Sequence, residues 1–278
     1  MKKNQYGIPK PLHYFDKIDY ILYKDFRGAV LRDYAYDKNV LLETFPLVAK
    51  RLAQIHSARP PKISLFPIDQ EAEFLDHVWQ KIKDYIPAQQ KDYRLIITDL
   101  LELERAVYNP KKFVINHDDF QASNIIYDKR SKNIGIIDFA FSNLYTPAND
   151  LGAFLAHLTT MLNPHFSQKE IDFFQKLFLR NYIKHLSKSS QRLVLEQLEI
   201  FRVRNGFNIL NVTLSVFLYS TNQKRKLYAK ILTKELLPLF KKDLKLAKEK
   251  IGKNRSRHWL FRKTGYWRLP KINVDYHR

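Results

Sequence analysis

The sequence predicts an α+β fold, mainly helical, with one small β-hairpin set among its helices. Three observations point there. Apolar residues recur at helical spacing over most of residues 44–251. Between them, Phe113-Val114-Ile115, Ile125-Ile126-Tyr127 and Ile134-Gly135-Ile136-Ile137 are short apolar runs bounded by polar turns, the pattern of strands. The chain has 278 residues and is 45% hydrophobic, enough for one large or two modest cores, yet no apolar run approaches the length of a membrane span.

Taken in order, Thr44 with Pro46 in the first turn predicts a helix start, and Val48, Ala49, Leu52 and Ile55 give it a buried stripe. Ser57-Ala58-Arg59-Pro60-Pro61 ends that helix. Residues 68–86 and 91–107 read as two helices broken near Pro87. A strand follows at Phe113. The polar turn Asp128-Lys129-Arg130-Ser131-Lys132-Asn133 then joins two strands into a hairpin. Asp150 opens a helix that runs to about Leu162, Asn163-Pro164 breaks it, and Ser167-Gln168-Lys169-Glu170 is a capping box for the next. Helices continue to about Ile251, where Gly252 is a plausible stop.

The strands frame a chemical pattern. His117, Asp119 and Asn124 stand at H-x-D-x-x-x-x-N spacing, and Asp138-Phe139 follows at the end of the hairpin. A hairpin brings Asn124 and Asp138 side by side. This is the spacing that phosphoryl transfer uses: one carboxylate accepts the proton of an attacking hydroxyl, while an amide oxygen and a second carboxylate hold Mg²⁺ against nucleotide phosphates.

At these residues the chain resembles the aminoglycoside phosphotransferase and choline kinase family of small-molecule kinases. His117-Asp118-Asp119…Asn124-Ile125-Ile126-Tyr127, Ile136-Ile137-Asp138-Phe139 and Asp150-Leu151-Gly152 carry the likeness over residues 113–155. Weaker likeness extends upstream through Tyr20–Gly28 and Val48–His56. The resemblance implies a protein-kinase-like fold, mainly the helical C-terminal lobe with a short remnant of the β-rich N-terminal lobe. Residues 1–28 would be that remnant and its hinge, with a strand pair over 12–24. Residues 29–252 would be the helical lobe with its catalytic hairpin at 113–138, and 253–278 a basic aromatic tail. It further implies Asp119 as catalytic base, Asn124 and Asp138 as Mg²⁺ ligands, and His117 as an orienting group. Asp150 would tie the loop to the next helix. Lys24, Asp25 and Phe26 would form the edge that meets ATP or GTP.

Two departures stand out. Asp118 sits where the family has a small or amide residue. Facing the site, it would repel Asp119 and raise one carboxyl pKa; the reading taken is that it points to solvent. Second, the seven glycines, at 7, 28, 135, 152, 206, 252 and 265, form no G-x-G-x-x-G, and no lysine before residue 24 sits in a Val-Ala-Ile-Lys-like strand.

Composition narrows the rest. The absence of cysteine rules out a disulfide framework, the nine histidines form no H-E-x-x-H, and the start lacks the apolar core of a signal peptide, so a cytoplasmic protein is expected. The formal net charge is +20. In the tail, Trp259, Phe261, Tyr266 and Trp267 are interleaved with Lys and Arg. That pattern suits a solvated helix end, an anionic membrane surface or, less well, nucleic acid. Two function classes remain: an ATP-dependent phosphotransferase acting on a small-molecule hydroxyl, and a kinase-like binding protein lacking the phosphate clamp.

Overall fold

The computed structural model describes residues 11–15, 20–23, 25–59 and 63–251. β1 (Pro11–Phe15) and β2 (Tyr20–Tyr23) form an antiparallel pair, as expected for residues 12–24. β3 (Ala29–Val30) then adds to the edge of the hairpin formed by β5 (Ile125–Asp128) and β6 (Asn133–Ile136), in the order β3-β5-β6. β4 (Val114–Asn116) pairs with β7 (Asn143–Tyr145), a partner that lies in no apolar run and was not foreseen.

The helices are α1 (Lys38–His56), α2 (Ile68–Ile82), α3 (Gln90–Val107), α4 (Pro147–Leu162), α5 (Gln168–Ile183), α6 (Lys188–Leu218) and α7 (Gln223–Ile251). The Ser167–Glu170 capping box is present at α5. The expected start of α1 at Thr44 is corrected: the helix begins six residues earlier, capped by Asp37, whose Oδ1 accepts the N–H groups of Asn39 and Val40. Val40 and Leu41 extend the buried stripe toward that cap. Thr44 is buried mid-helix, its hydroxyl donating to the carbonyl of Val40, and Pro46 lies inside the helix. α4 likewise starts three residues before Asp150, capped by Thr146 with Pro147 in its first turn.

Two apolar cores result. One packs α1, β5, β6, α4 and α5 around Phe45, Phe120, Phe154 and Phe174. The other packs α2, α3, α6 and α7 around Tyr93, Tyr145, Phe207 and Phe240. α4 and α6 cross between them at Gly152, where a Cβ would stand 2.4 Å from the carbonyl carbon of Phe201. Only glycine lets the two backbones approach so closely, and this contact seats Arg204 and Asn205 of α6 against Asn149. Among the described residues, no helix is long and apolar enough to cross a membrane. The basic tail at 253–278 lies outside the described residues.

Candidate active site

β4 delivers the chain to Asn116, and the loop that follows is held from below by Asp150 in the first turn of α4. Asp150 is fully buried. Its Oδ2 accepts the backbone N–H of His117 at 2.8 Å, and its Oδ1 accepts that of Asp118 at 2.9 Å. Two successive N–H groups reach one carboxylate where Asp118 adopts φ 64°, a left-handed conformation that Asp tolerates better than most residues. Oδ2 also meets His56 Nε2 at 3.0 Å, and His56 Nδ1 lies 2.6 Å from the Tyr182 hydroxyl. Donation from Nε2 to the carboxylate and acceptance at Nδ1 from Tyr182 satisfies all three groups.

His117 is buried and orients the loop. Its Nδ1 accepts the Asp119 N–H at 3.3 Å, so Nε2 carries the proton donated to the Ile137 carbonyl at 2.8 Å. That bond ties the loop to the residue before Asp138. Phe139 packs on the His117 ring at 4.6 Å between centroids.

Asp119 and Asn124 are joined directly. Asn124 Nδ2 donates to Asp119 Oδ2 at 2.7 Å and to the Asp119 carbonyl at 2.9 Å, while Gln121 Nε2 donates to Oδ1 at 2.8 Å. Both acceptors of Asn124 are oxygens, so the amide orientation is chemically fixed and Oδ1 is its remaining atom. Across the hairpin, Ile125 pairs with Ile136, and Ile137 N–H donates to the Asn124 carbonyl at 3.0 Å. Asp138, next along, is exposed and also left-handed, at φ 62°. It forms no ion pair or hydrogen bond among the described residues.

This donor set fits Mg²⁺. Among the described residues no cluster of three or more His, Cys, Asp or Glu side chains exists to hold an ion alone. Mg²⁺ in nucleotide sites takes only one or two protein oxygens and completes its shell with phosphate and water. The Asn124 amide oxygen and the Asp138 carboxylate match that requirement.

Asp118 does not point to solvent. Its Oδ1 accepts from Asn149 Nδ2 at 2.7 Å and its Oδ2 from Asn143 Nδ2 at 3.0 Å, beneath the loop surface. Burial raises its pKa to about 6 against the opposing pull of Arg204. The left-handed turn that feeds Asp150 also directs this side chain inward. Asn149 is the junction: its second hydrogen bond goes to Asn116, and its Oδ1 accepts from Arg204 Nη1 at 2.9 Å and Asn205 Nδ2 at 3.2 Å. Behind it, Arg204 lies 3.2 Å from Glu71 and 3.3 Å from Glu104, with its guanidinium 5.0 Å from the Phe66 ring centre. Burial raises the Glu104 carboxyl to about 7, opposed by Arg204. Three carboxyl groups thus surround one guanidinium.

Arg204, Glu71 and Glu104 were missed because nothing local in sequence marks them. Asn149 adjoins Asp150 and was within reach. His157, on the same face of α4 two turns after Asp150, was missed as well. Burial lowers its pKa, and the charge of Asp119 pulls the other way.

Of the expected nucleotide edge, Lys24 lies outside the described residues. Asp25 is exposed. Phe26 lies on the hairpin: a Cβ at Gly135 would meet its ring at 2.7 Å. Gly28, at φ 134°, brings the segment onto the Tyr127 carbonyl, 2.4 Å from where a Cβ would stand. Residues 25–30 are therefore seated on the strands that carry Asn124 and Asp138.

A helical lobe bearing this loop and hairpin defines a protein-kinase-like phosphotransferase fold. The chain belongs to the phosphotransferase enzyme family, whose model matches residues 3–180. An ethanolamine kinase of Drosophila melanogaster is 25% identical over 190 residues, covering 61% of this chain and 36% of that protein, so the chain spans about a third of that relative's length. Among solved structures, a choline/ethanolamine kinase family protein from Mesorhizobium loti superposes with a TM-score of 0.62 at 13% identity, covering 87% of this chain and 79% of the other. An amicoumacin kinase in complex with AMP-PNP, Ca²⁺ and Ami gives a TM-score of 0.58 at 16% identity over 78% and 64% of the two chains.

Proposed function

We propose that this protein transfers the γ-phosphate of ATP or GTP to the hydroxyl of a small molecule, with an amino alcohol as the favoured acceptor. The observation that carries the reading is the Asn124–Asp119 pair, which fixes the carboxylate through the amide nitrogen and leaves the amide oxygen of Asn124 outside that pair. Asp119 accepts the proton of the attacking hydroxyl, and the amide donors of Asn124 and Gln121 hold it in place. His117 and Asp150 keep the loop backbone rigid. Asn124 and Asp138 hold Mg²⁺, which neutralises charge on the phosphates. Lys24, Asp25 and Phe26 form the nucleotide edge within residues 1–28, and residues 29–252 supply catalysis and acceptor binding. The carboxyl groups of Asp118, Glu71 and Glu104 beneath the loop favour a cationic amine on the acceptor side. Choline and ethanolamine kinases among the similar proteins support the same choice.

The test is nucleotide consumption with a panel of amino alcohols and sugars. Asp119→Asn should lower kcat by orders of magnitude with folding intact, and unchanged turnover would overturn the assignment of the base. A second reading, a kinase-like binding protein with impaired catalysis, is favoured by the absence of any G-x-G-x-x-G in the sequence. It predicts acceptor binding by calorimetry without nucleotide consumption.

A further inference from the structure

We propose that the end of α6 and the start of α7 form a docking surface for an anionic lipid bilayer. On α6 the buried stripe includes Leu210 and Leu214. Val212 and Val216 are displaced from it by about 200°, on the opposite side of the helix. They are 62% and 56% exposed, and Tyr219, three residues on, is 66% exposed. Across the turn at 220–222, Asn222 caps α7 by accepting the Lys224 N–H. Lys224, Leu227, Lys230 and Lys234 then recur along one exposed face, with Leu227 itself 59% exposed. Tyr219 and Lys224 flank the turn that joins the two helices.

Along the chain from the end of α6 into the start of α7 the formal charges are all positive. No Asp or Glu occurs anywhere in residues 200–234, whereas Lys224, Arg225, Lys226, Lys230 and Lys234 crowd the start of α7. Among the described residues, the side chains of Lys224, Lys230 and Lys234 form no ion pair. Lys230 and Lys234 also flank a shallow groove of about 250 Å³ shared with Tyr85, Pro87 and Gln89, of a size to take a lipid phosphate. Exposed Val, Leu and Tyr ringed by lysines is the pattern of a surface that inserts apolar groups between anionic headgroups. A second copy of the chain would face its own lysines across a symmetric contact and be repelled. Nucleic acid would leave the valine stripe unused. Val216 lies about 18 Å along the helix from Arg204, so the docking surface is separate from the catalytic loop.

The experiment is co-sedimentation of the full chain with phosphatidylcholine vesicles, with and without phosphatidylglycerol. Binding should require phosphatidylglycerol and weaken with salt. Val216→Asp combined with Tyr219→Ser should lower the partition coefficient on the order of ten-fold, as should Lys230→Glu with Lys234→Glu. All four positions are solvent-exposed, and unchanged thermal melting will verify the fold. Absence of binding by the unmodified chain would overturn the proposal. So would wild-type binding by both double variants with loss on removal of 253–278, which would assign the membrane contact to the tail. Self-association of the chain, abolished by Val216→Asp, would instead make this face a contact between copies and overturn it too.

Discussion

Asp150 holds the backbone N–H of His117 at 2.8 Å from the first turn of the helix that follows the hairpin, so the loop that starts at His117 hangs from a residue 33 positions later in sequence. The same oxygen meets His56. Removing the carboxylate leaves two loop N–H groups and the Nε2–H of the buried His56 without a partner. Asp150→Ala should therefore destabilise folding by about 3–5 kcal/mol, read by chemical denaturation. A loss below about 1 kcal/mol would mean that the loop is held by other contacts.

The close crossing at Gly152 gives a second expectation. A methyl group there meets the Phe201 backbone, which no rotamer change relieves. Gly152→Ala should cost about 3 kcal/mol or more and loosen Arg204 and Asn205 from Asn149. A melting temperature within a degree or so of the parent protein would show that α4 and α6 separate easily.

Asp118 makes stability depend on pH. Its pKa is raised from 3.8 to about 6 by burial, so the folded state holds the proton more tightly than the unfolded chain. The stabilisation from this group is full below about pH 4 and is lost as pH rises through about 6, with a span on the order of 3 kcal/mol. Asp118→Asn should flatten that part of the stability–pH curve. An unchanged slope between these limits would remove Asp118 as its source.

Nucleotide binding separates the two readings of function. The described nucleotide edge offers Asp25 and Phe26, and no Gly-rich loop is present in the sequence to close over a triphosphate. The chain alone should bind MgATP with a dissociation constant on the order of a millimolar, about 4 kcal/mol. Asp138→Ala should abolish the Mg²⁺-dependent part of that binding. Micromolar affinity by calorimetry would show that another part of the chain or a partner supplies the clamp.

The sequence by itself determined the helical character of the chain, the hairpin at 125–136, the α5 capping box and the order of His117, Asp119, Asn124 and Asp138. Each rests on interactions between residues close in the chain: strand alternation, a cap reaching three residues, and a turn that returns one strand to its neighbour. Thr44 was misread for the same reason, since Thr followed by Pro is a local start signal that the Asp37 cap and the longer buried stripe outweigh. Only the tertiary structure decided the direction of Asp118, the β4–β7 pairing and the junction of Asn149 with Arg204. Those depend on α6 returning to lie against α4 at Gly152, and burial among distant groups, rather than spacing, sets where a charged side chain comes to rest.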